Sequence, residues 1–221
     1  MNLPFTVEQF FDVFARYNAG VWPAPVVLTG LALLALALLF WPAPAAGRWI
    51  AAVLALLWAW AAIAYHLAYF AEINPAARPF AALFLLGAIV FLWVGVVRRR
   101  LRFAPMRAPR AWVGAALLMY ALVAYPALGH LLGHRYPASP TFGLPCPTTI
   151  FTIGLLMFAR SPVPRSVFVV PVLWSLVGAT AAFSLGVWQD LGLVAAAAVG
   201  LAALIRPATV FEPSLSEQTP A

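Results

Sequence analysis

Three histidines and a single cysteine are the side chains of this sequence best suited to chemistry. His130 and His134 are four residues apart, so a helix through them would place both on one face, one turn apart. His66, near the end of an earlier apolar segment, would bring a third imidazole to a similar depth. Three imidazoles can hold zinc, copper or a haem iron, and Cys146 or a carboxylate could complete the set. The alternative is that each histidine only bonds water or a carbonyl at a helix end.

A short helix is predicted to begin beside these histidines. Cys146 lies between Pro145 and Pro147, and proline is tolerated in the first turn of a helix and little beyond it. A helix over Pro147–Arg160 is about 21 Å long at 1.5 Å per residue, against a hydrocarbon core of roughly 30 Å. It would therefore begin below the outer membrane surface, after non-helical backbone over Thr141–Cys146.

The start of this short helix has the chemistry of a ligand or anion pocket. Free amides at a helix N-terminus carry partial positive charge, which favours anions and activates a thiol. The residues predicted to form the pocket are Cys146, Thr148, Thr149, Glu72 and Asp190. In the alternative interpretation, the two threonines merely satisfy the free amides of the helix.

The composition indicates that these residues are positioned by membrane-spanning helices. The chain is 65% hydrophobic and 9% charged, with a mean hydropathy of +0.96, which is too apolar for a soluble domain of 221 residues. Because backbone that faces lipid must satisfy its own polar groups, the segments are predicted to be helices. The fold class is therefore all-α, a polytopic membrane bundle of about seven helices. The predicted spans are Pro25–Trp41, Trp49–Phe70, Phe80–Val97, Ala111–His130, Leu144–Ala159, Val167–Val187 and Leu191–Ile205.

The thirteen arginines predict the orientation of the bundle. With the loop 98–110 in the cytoplasm, ten arginines fall inside and three outside, as the positive-inside rule requires. The N-terminus is then outside and the C-terminus cytoplasmic. The inside set is Arg48, Arg98, Arg99, Arg100, Arg102, Arg107, Arg110, Arg160, Arg165 and Arg206, and the outside set is Arg16, Arg78 and Arg135. The net charge of +7 thus reflects topology, and no nucleic-acid partner is expected.

The chain divides into three parts. Residues 1–23 are predicted to form an amphipathic helix at the outer surface, because Thr6 and Gln9 have the spacing of a capping box. In an equally weighted alternative, this helix caps the bundle by packing onto its loops. Residues 24–206 form the transmembrane domain. Residues 207–221 are poor in apolar side chains and are predicted to be a disordered cytoplasmic tail.

Five stretches of the sequence resemble an uncharacterised family of bacterial multi-pass membrane proteins, a domain of unknown function. The stretches are PFTVEQFFDVFARYN, EINPAARPF, YPALGHLLGHRYP, TFGLPCPTTIFTIGLL and LWSLVGATAAFSLGVWQDLGL. The resemblance implies a bacterial inner-membrane location and no particular activity. His66 with His130 and His134 also resembles the zinc ligands of the seven-helix ceramidase and adiponectin-receptor group. Here the pair is on the fourth span, and Ala62 and Ile63 offer no serine before His66.

Three functions are compatible with these features. The first is a membrane enzyme or cofactor protein with an outward-facing metal site. The second is a non-catalytic ligand-binding protein, such as a sensor or an accessory subunit of a membrane complex or homo-oligomer in the bilayer. The third is a small-solute transporter. It is disfavoured because the inner halves of the spans carry no Asp, Glu, His or Lys, which ion-coupled carriers use at mid-depth.

Overall fold

The computed structural model describes residues 4–41 and 43–205, and the described chain is built from helices. Arg206 and the tail predicted to be disordered lie outside the described residues. The helices are α1 Val7–Gly20, α2 Ala24–Phe40, α3 Ala46–Trp60, α4 Ala77–Phe91, α5 Pro109–Met119, α6 Tyr125–Leu131, α7 Pro145–Leu156, α8 Ser166–Leu185 and α9 Leu191–Ile205.

Five continuous helical segments among the described residues are long and apolar enough to cross a membrane. They are Ala46–Glu72, Ala77–Val97, Pro109–Leu131, Ser166–Leu185 and Trp188–Ile205. Helices α1 and α2 meet at an angle of 83° and together would make a sixth. Each of the seven predicted apolar segments contains a helix, but α2 and α7 are individually too short to count as spans. The number supported by length and composition is therefore five or six and not seven.

Three of these segments change from α-helical to π-helical turns along their length. The π-turns are Ala61–Leu67 after α3, Leu92–Val97 after α4 and Tyr120–Ala124 between α5 and α6. A π-turn inserts an extra residue and so rotates the side chains that follow, and such turns are frequent at functional sites. The first of them carries Tyr65 and His66.

Helix α7 is the centre of the bundle, where it contacts α3, α5, α8 and α9. From Pro147 to Leu156 all of its residues are buried. Thr152 accepts a 3.0 Å hydrogen bond from the buried indole of Trp58, which connects α7 to α3. The predicted bounds were wrong by a few residues. The helix begins at Pro145 and ends at Leu156, because the chain then turns and Arg160 bonds to the loop after α4.

Helix α1 lies on the end of the bundle. Thr6 and Gln9 form the predicted capping box, with hydrogen bonds of 2.8 and 3.2 Å. The apolar face of α1 buries Phe10, Val13 and Phe14 against a cluster of aromatic and aliphatic side chains. The apolar face of α1 therefore packs against the rest of the protein.

Candidate functional site

A cavity of about 190 Å³ lies under α1, at the first turn of α7. We call it the aromatic cavity, because most of its wall is made of rings and apolar side chains. Its polar members besides Tyr65 are His66, Asn74, Tyr125, Cys146, Thr180, Ser184 and Asp190. The rings around them are Phe5, Phe10, Phe14, Tyr65, Phe70, Phe80 and Trp174. Short polar groups set in an apolar wall are typical of small-molecule sites.

His66 is the most unusual group in this wall. Its side chain is 0% exposed, and neither ring nitrogen has a hydrogen-bond partner among the described residues. Its neighbours are rings: the centroid of Phe84 is 5.0 Å away and that of Trp174 is 5.2 Å away. The Nε1 of Trp174 is also buried, and no described residue is placed to make a hydrogen bond with it. An unpaired buried polar group costs about 1–3 kcal/mol, so two such groups side by side require an explanation.

A second set of polar side chains in the cavity surrounds Asp190. The hydroxyl of Tyr125 donates a 2.6 Å hydrogen bond to its Oδ1 atom. The thiol of Cys146 lies beside the same carboxylate and beside the indole of Trp174. The structure therefore brings together Cys146 and Asp190, two of the five predicted pocket residues, and adds Tyr125 to them.

The other three predicted pocket residues lie outside the wall of the cavity. The hydroxyl of Thr149 donates a 2.8 Å bond to the Pro145 carbonyl, one turn earlier in α7. The amide of Thr148 donates to the Leu144 carbonyl, and its hydroxyl has no partner among the described groups. Neither threonine side chain caps the helix, so the interpretation that they satisfy its free amides was wrong. Glu72 is exposed and forms an ion pair with Arg16 of α1.

The histidine pair does not share a helix face, and this prediction was wrong. Helix α6 ends at Leu131, and Gly133 adopts a φ of +90°, which reverses the chain. The amide of His134 then bonds to the Gly129 carbonyl at 2.9 Å, an arrangement that terminates helices. His134 stacks on Phe11 at 4.3 Å, and His130 is exposed.

No metal-binding group forms around these residues. Neither His130 nor His134 lines the aromatic cavity that contains His66. Across residues 4–41 and 43–205, no three His, Cys, Asp or Glu side chains are arranged to hold a metal ion. The three-histidine set for zinc, copper or haem is thus not assembled in this structure.

Helix α1 forms the roof of the cavity and is held by polar contacts at its C-terminal end. The Nδ2 of Asn18 donates to the carbonyls of Pro137 and Ser139, at 2.6 and 2.8 Å. Its Oδ1 accepts a 2.7 Å bond from the Thr141 hydroxyl. The hydroxyl of Tyr17 accepts a 2.7 Å bond from the Trp60 indole. Partial burial against α1 lowers the pKa of His134.

The sequence-based prediction missed four polar residues of this region. Asn18, Asn74, Tyr125 and Trp174 bond or line the site, and none of them was among the predicted site residues. Asn74 stands in a Pro-rich connection and Tyr125 directly precedes a proline, where a buried polar side chain is unusual. These positions next to prolines are the features of the sequence that could have identified Asn74 and Tyr125 as site residues.

These features define an all-helical protein with five or six apolar helices and an aromatic-walled cavity at one end of the bundle. Residues 7–214 match a family described as Family of unknown function (DUF6064), and the chain belongs to that family. No curated protein and no solved structure matches the chain significantly.

Proposed function

We propose that this chain is a multi-pass protein of the bacterial inner membrane that binds a small uncharged molecule in the aromatic cavity. The apolar helices supply the basis for membrane insertion. The positive-inside rule puts the arginine-rich loop 98–110 in the cytoplasm and the cavity on the outer side. The protein then acts as a receptor, a sensor input or an accessory subunit of a membrane complex.

The observation that carries this proposal is the unpaired imidazole of His66 in the cavity wall. A neutral imidazole offers one donor and one acceptor, and the indole of Trp174 beside it offers a second donor. A bound molecule with a hydroxyl, carbonyl or amide would satisfy these groups. The energetic gain would be largest for an uncharged molecule, because the surrounding rings cannot compensate a buried charge.

The apolar wall and the small volume of the cavity also restrict the class of ligand. Drug-sized ligands occupy roughly 300–1,000 Å³, and this cavity measures about 190 Å³. The ligand class is therefore a small aromatic or apolar molecule with one hydrogen-bonding group. Phenol and indole have this character.

A route into the cavity lies along α8. The wall includes Val177, Thr180 and Ser184, whose side chains are exposed on the outside of the bundle. Phe10 and Phe14 of α1 close the cavity from above. A ligand that partitions into the outer half of the bilayer could enter between α1 and α8. Once bound, it would contact α1 and change the packing of that helix.

Binding without turnover is favoured over nucleophilic catalysis. A cysteine is activated when a nearby positive charge stabilises its thiolate, and the thiol of Cys146 lies next to the Asp190 carboxylate, whose negative charge would repel a thiolate. No described histidine hydrogen-bonds to it, and the described residues contain no metal-ligand cluster.

Thermal unfolding of the purified protein in an uncharged detergent tests the proposal, with phenol and indole as probes. We expect either probe to raise the Tm of the natural protein in a concentration-dependent way. His66→Phe keeps a ring in the wall and removes both nitrogens, so it should abolish the increase. His130→Gln, at an exposed position outside the cavity, should leave the increase unchanged.

Two results would contradict the proposal. One is an equal Tm increase in the natural protein and in His66→Phe. The other is no increase with any of a series of small phenols, indoles and aromatic alcohols, combined with no small molecule detected in the native mass spectrum of freshly extracted protein.

A further inference from the structure

A second large opening lies at the opposite end of the bundle. It is a groove of about 820 Å³, and we call it the arginine groove. Four arginines line it: Arg48, Arg99, Arg102 and Arg160. Helix α7 has 12 residues and rises about 18 Å between the aromatic cavity at its first turn and the groove beyond its last turn. The two openings are therefore separate sites.

The four arginines come from three distant parts of the sequence. Arg48 lies in the first turn of α3, Arg99 and Arg102 lie in the loop after α4, and Arg160 follows α7. None of the described residues that line the groove is acidic. Among the described residues, no carboxylate forms an ion pair with any of the four, since the two ion pairs found both involve Arg16.

Backbone contacts fix this convergence. The amide of Arg160 donates a 2.7 Å hydrogen bond to the Arg102 carbonyl, and the amide of Ala104 donates a 3.2 Å bond to the Phe158 carbonyl. Gly47 packs so closely on the Leu101 carbonyl that a side chain at that position would overlap it. The loop after α4 is thus joined both to the end of α7 and to the start of α3. The arginines meet because the fold joins these three segments.

The positive-inside rule does not account for this arrangement. It requires arginines on one side of the membrane, and Arg98, Arg100 and Arg107 meet that requirement without lining the groove. Four like charges around one groove repel one another, and an anion bound among them would relieve that repulsion. Arginine is also the side chain whose planar fork best matches the oxygens of a phosphate.

We propose that the arginine groove binds a phosphate group. The apolar side chains of Leu39, Phe40 and Phe103 line the same groove and would contact the organic part of the ligand. Two sources supply this chemistry at the cytoplasmic side of an inner membrane, an anionic phospholipid headgroup and a soluble phosphate compound. The site is distinct from the aromatic cavity and does not depend on what that cavity binds.

The test compares two double variants that lose the same charge. Arg48→Gln/Arg160→Gln removes two groove arginines, and Arg100→Gln/Arg107→Gln removes two exposed arginines outside the groove. The full chain is purified in an uncharged detergent, and Tm is titrated with phosphatidylglycerol, with inorganic pyrophosphate and with sodium chloride at matched ionic strength. Phosphatidylcholine serves as the lipid control.

We expect the groove variant to need about a tenfold or greater concentration of the stabilising probe to reach the same Tm increase as the natural protein. The reason is that hydrogen bonds to charged groups contribute about 1.5–3 kcal/mol. The control variant should respond as the natural protein does. Stabilisation by phosphatidylglycerol alone identifies a lipid headgroup, and stabilisation by pyrophosphate alone identifies a soluble ligand. If the groove double variant does not fold, Arg48→Lys/Arg160→Lys replaces it, since it keeps the charge and removes the planar fork.

The proposal is overturned if neither probe raises Tm beyond the effect of salt. It is equally overturned if the two glutamine variants lose the response to the same extent, because the response would then depend on net charge and not on the groove.

Discussion

The Tyr125 hydroxyl donates a 2.6 Å hydrogen bond to the Asp190 carboxylate, and both groups are buried in the wall of the aromatic cavity. Tyr125 opens α6, whereas Asp190 precedes α9, so 65 residues of sequence separate the partners. A carboxylate inside an apolar bundle is costly unless it is hydrogen-bonded. The contact therefore both stabilises the bundle and fixes one polar face of the site.

Removing the hydroxyl donor should destabilise the bundle. Tyr125→Phe leaves Asp190 without its closest partner, and we expect a loss of about 1–3 kcal/mol in the free energy of unfolding. In a double-mutant cycle with Asp190→Asn, measured by unfolding in detergent, the two losses should be less than additive. Tyr136→Phe is the control, because its hydroxyl makes only a 3.4 Å contact to the Asn18 carbonyl. Additive losses in the cycle would show that the bond contributes little.

His66→Phe should preserve or raise stability while it abolishes ligand binding. The substitution removes two buried nitrogens that have no partner among the described residues and keeps an aromatic ring among aromatic neighbours. Replacing such a group by an apolar one of similar shape is neutral or stabilising, so Tm without ligand should be unchanged or higher. His66→Ala should lower Tm, because it leaves a void of several atoms. A marked loss of stability in His66→Phe would indicate a structural role for the imidazole.

The roof of the cavity should depend on Asn18 more than on the surface ion pair. Asn18→Ala removes three hydrogen bonds of 2.6–2.8 Å to the connection between α6 and α7. We expect faster hydrogen exchange throughout Val7–Gly20 in this variant. Arg16→Gln breaks only exposed ion pairs, which contribute about 0–1 kcal/mol, and should leave exchange nearly unchanged. Equal effects of the two variants would contradict this assignment.

Docking of α1 should weaken in mild acid because of His134. Partial burial of the ring, which lies against Phe11 of α1, lowers the pKa of this histidine below its ordinary value of 6.5 by desolvation. The undocked state then binds more protons than the docked state, so stability is complete above pH 6.5 and falls as the pH decreases towards the lowered pKa. Hydrogen exchange of α1 should therefore accelerate from pH 7.5 to pH 5, after correction for intrinsic exchange. His134→Phe should remove the pH dependence, and a variant that keeps it would exclude His134 as the cause.

The two ends of the bundle should react with an impermeant reagent from opposite sides of the membrane. In a Cys146→Ala background, Ala19→Cys lies at the α1 end and Ser161→Cys at the arginine end, and both positions are exposed. On intact spheroplasts a charged maleimide should label Ala19→Cys and not Ser161→Cys, and lysis should make both reactive. The reverse pattern would invert the proposed orientation, and labelling of both in intact cells would contradict the topology.

The positions of the helices could be predicted from local sequence. Thr6 and Gln9 identify the start of α1, because a capping box involves residues only three apart. Pro145 and Pro147 indicate the start of a short helix, because proline fits only the first turn. The end of that helix was misplaced at Arg160, since the Arg160 amide donates its hydrogen bond to the carbonyl of Arg102, which is far away in sequence.

The composition of the candidate site could be predicted only in part. Cys146 and Asp190 were predicted to share a pocket because both stand at the same end of apolar segments, and in the structure both line the aromatic cavity. The prediction that His130 and His134 share a helix face was wrong because α6 ends between them and Gly133 then reverses the chain. A four-residue spacing in the sequence does not reveal such a helix end. His66 was predicted to bind a metal because the sequence gives the residue type and its depth in the membrane but not its neighbours in space.

The sequence by itself determined the helices, their apolar character and the separation of the arginines from the histidines and the cysteine. These properties depend on composition and on spacings of a few residues, which act along one helix. Only the tertiary structure decided that His66 faces aromatic rings, that Tyr125 meets Asp190 and that four arginines share one groove. Those contacts depend on how π-turns rotate the helices and on which ends the connecting loops join, and both are results of packing the whole chain.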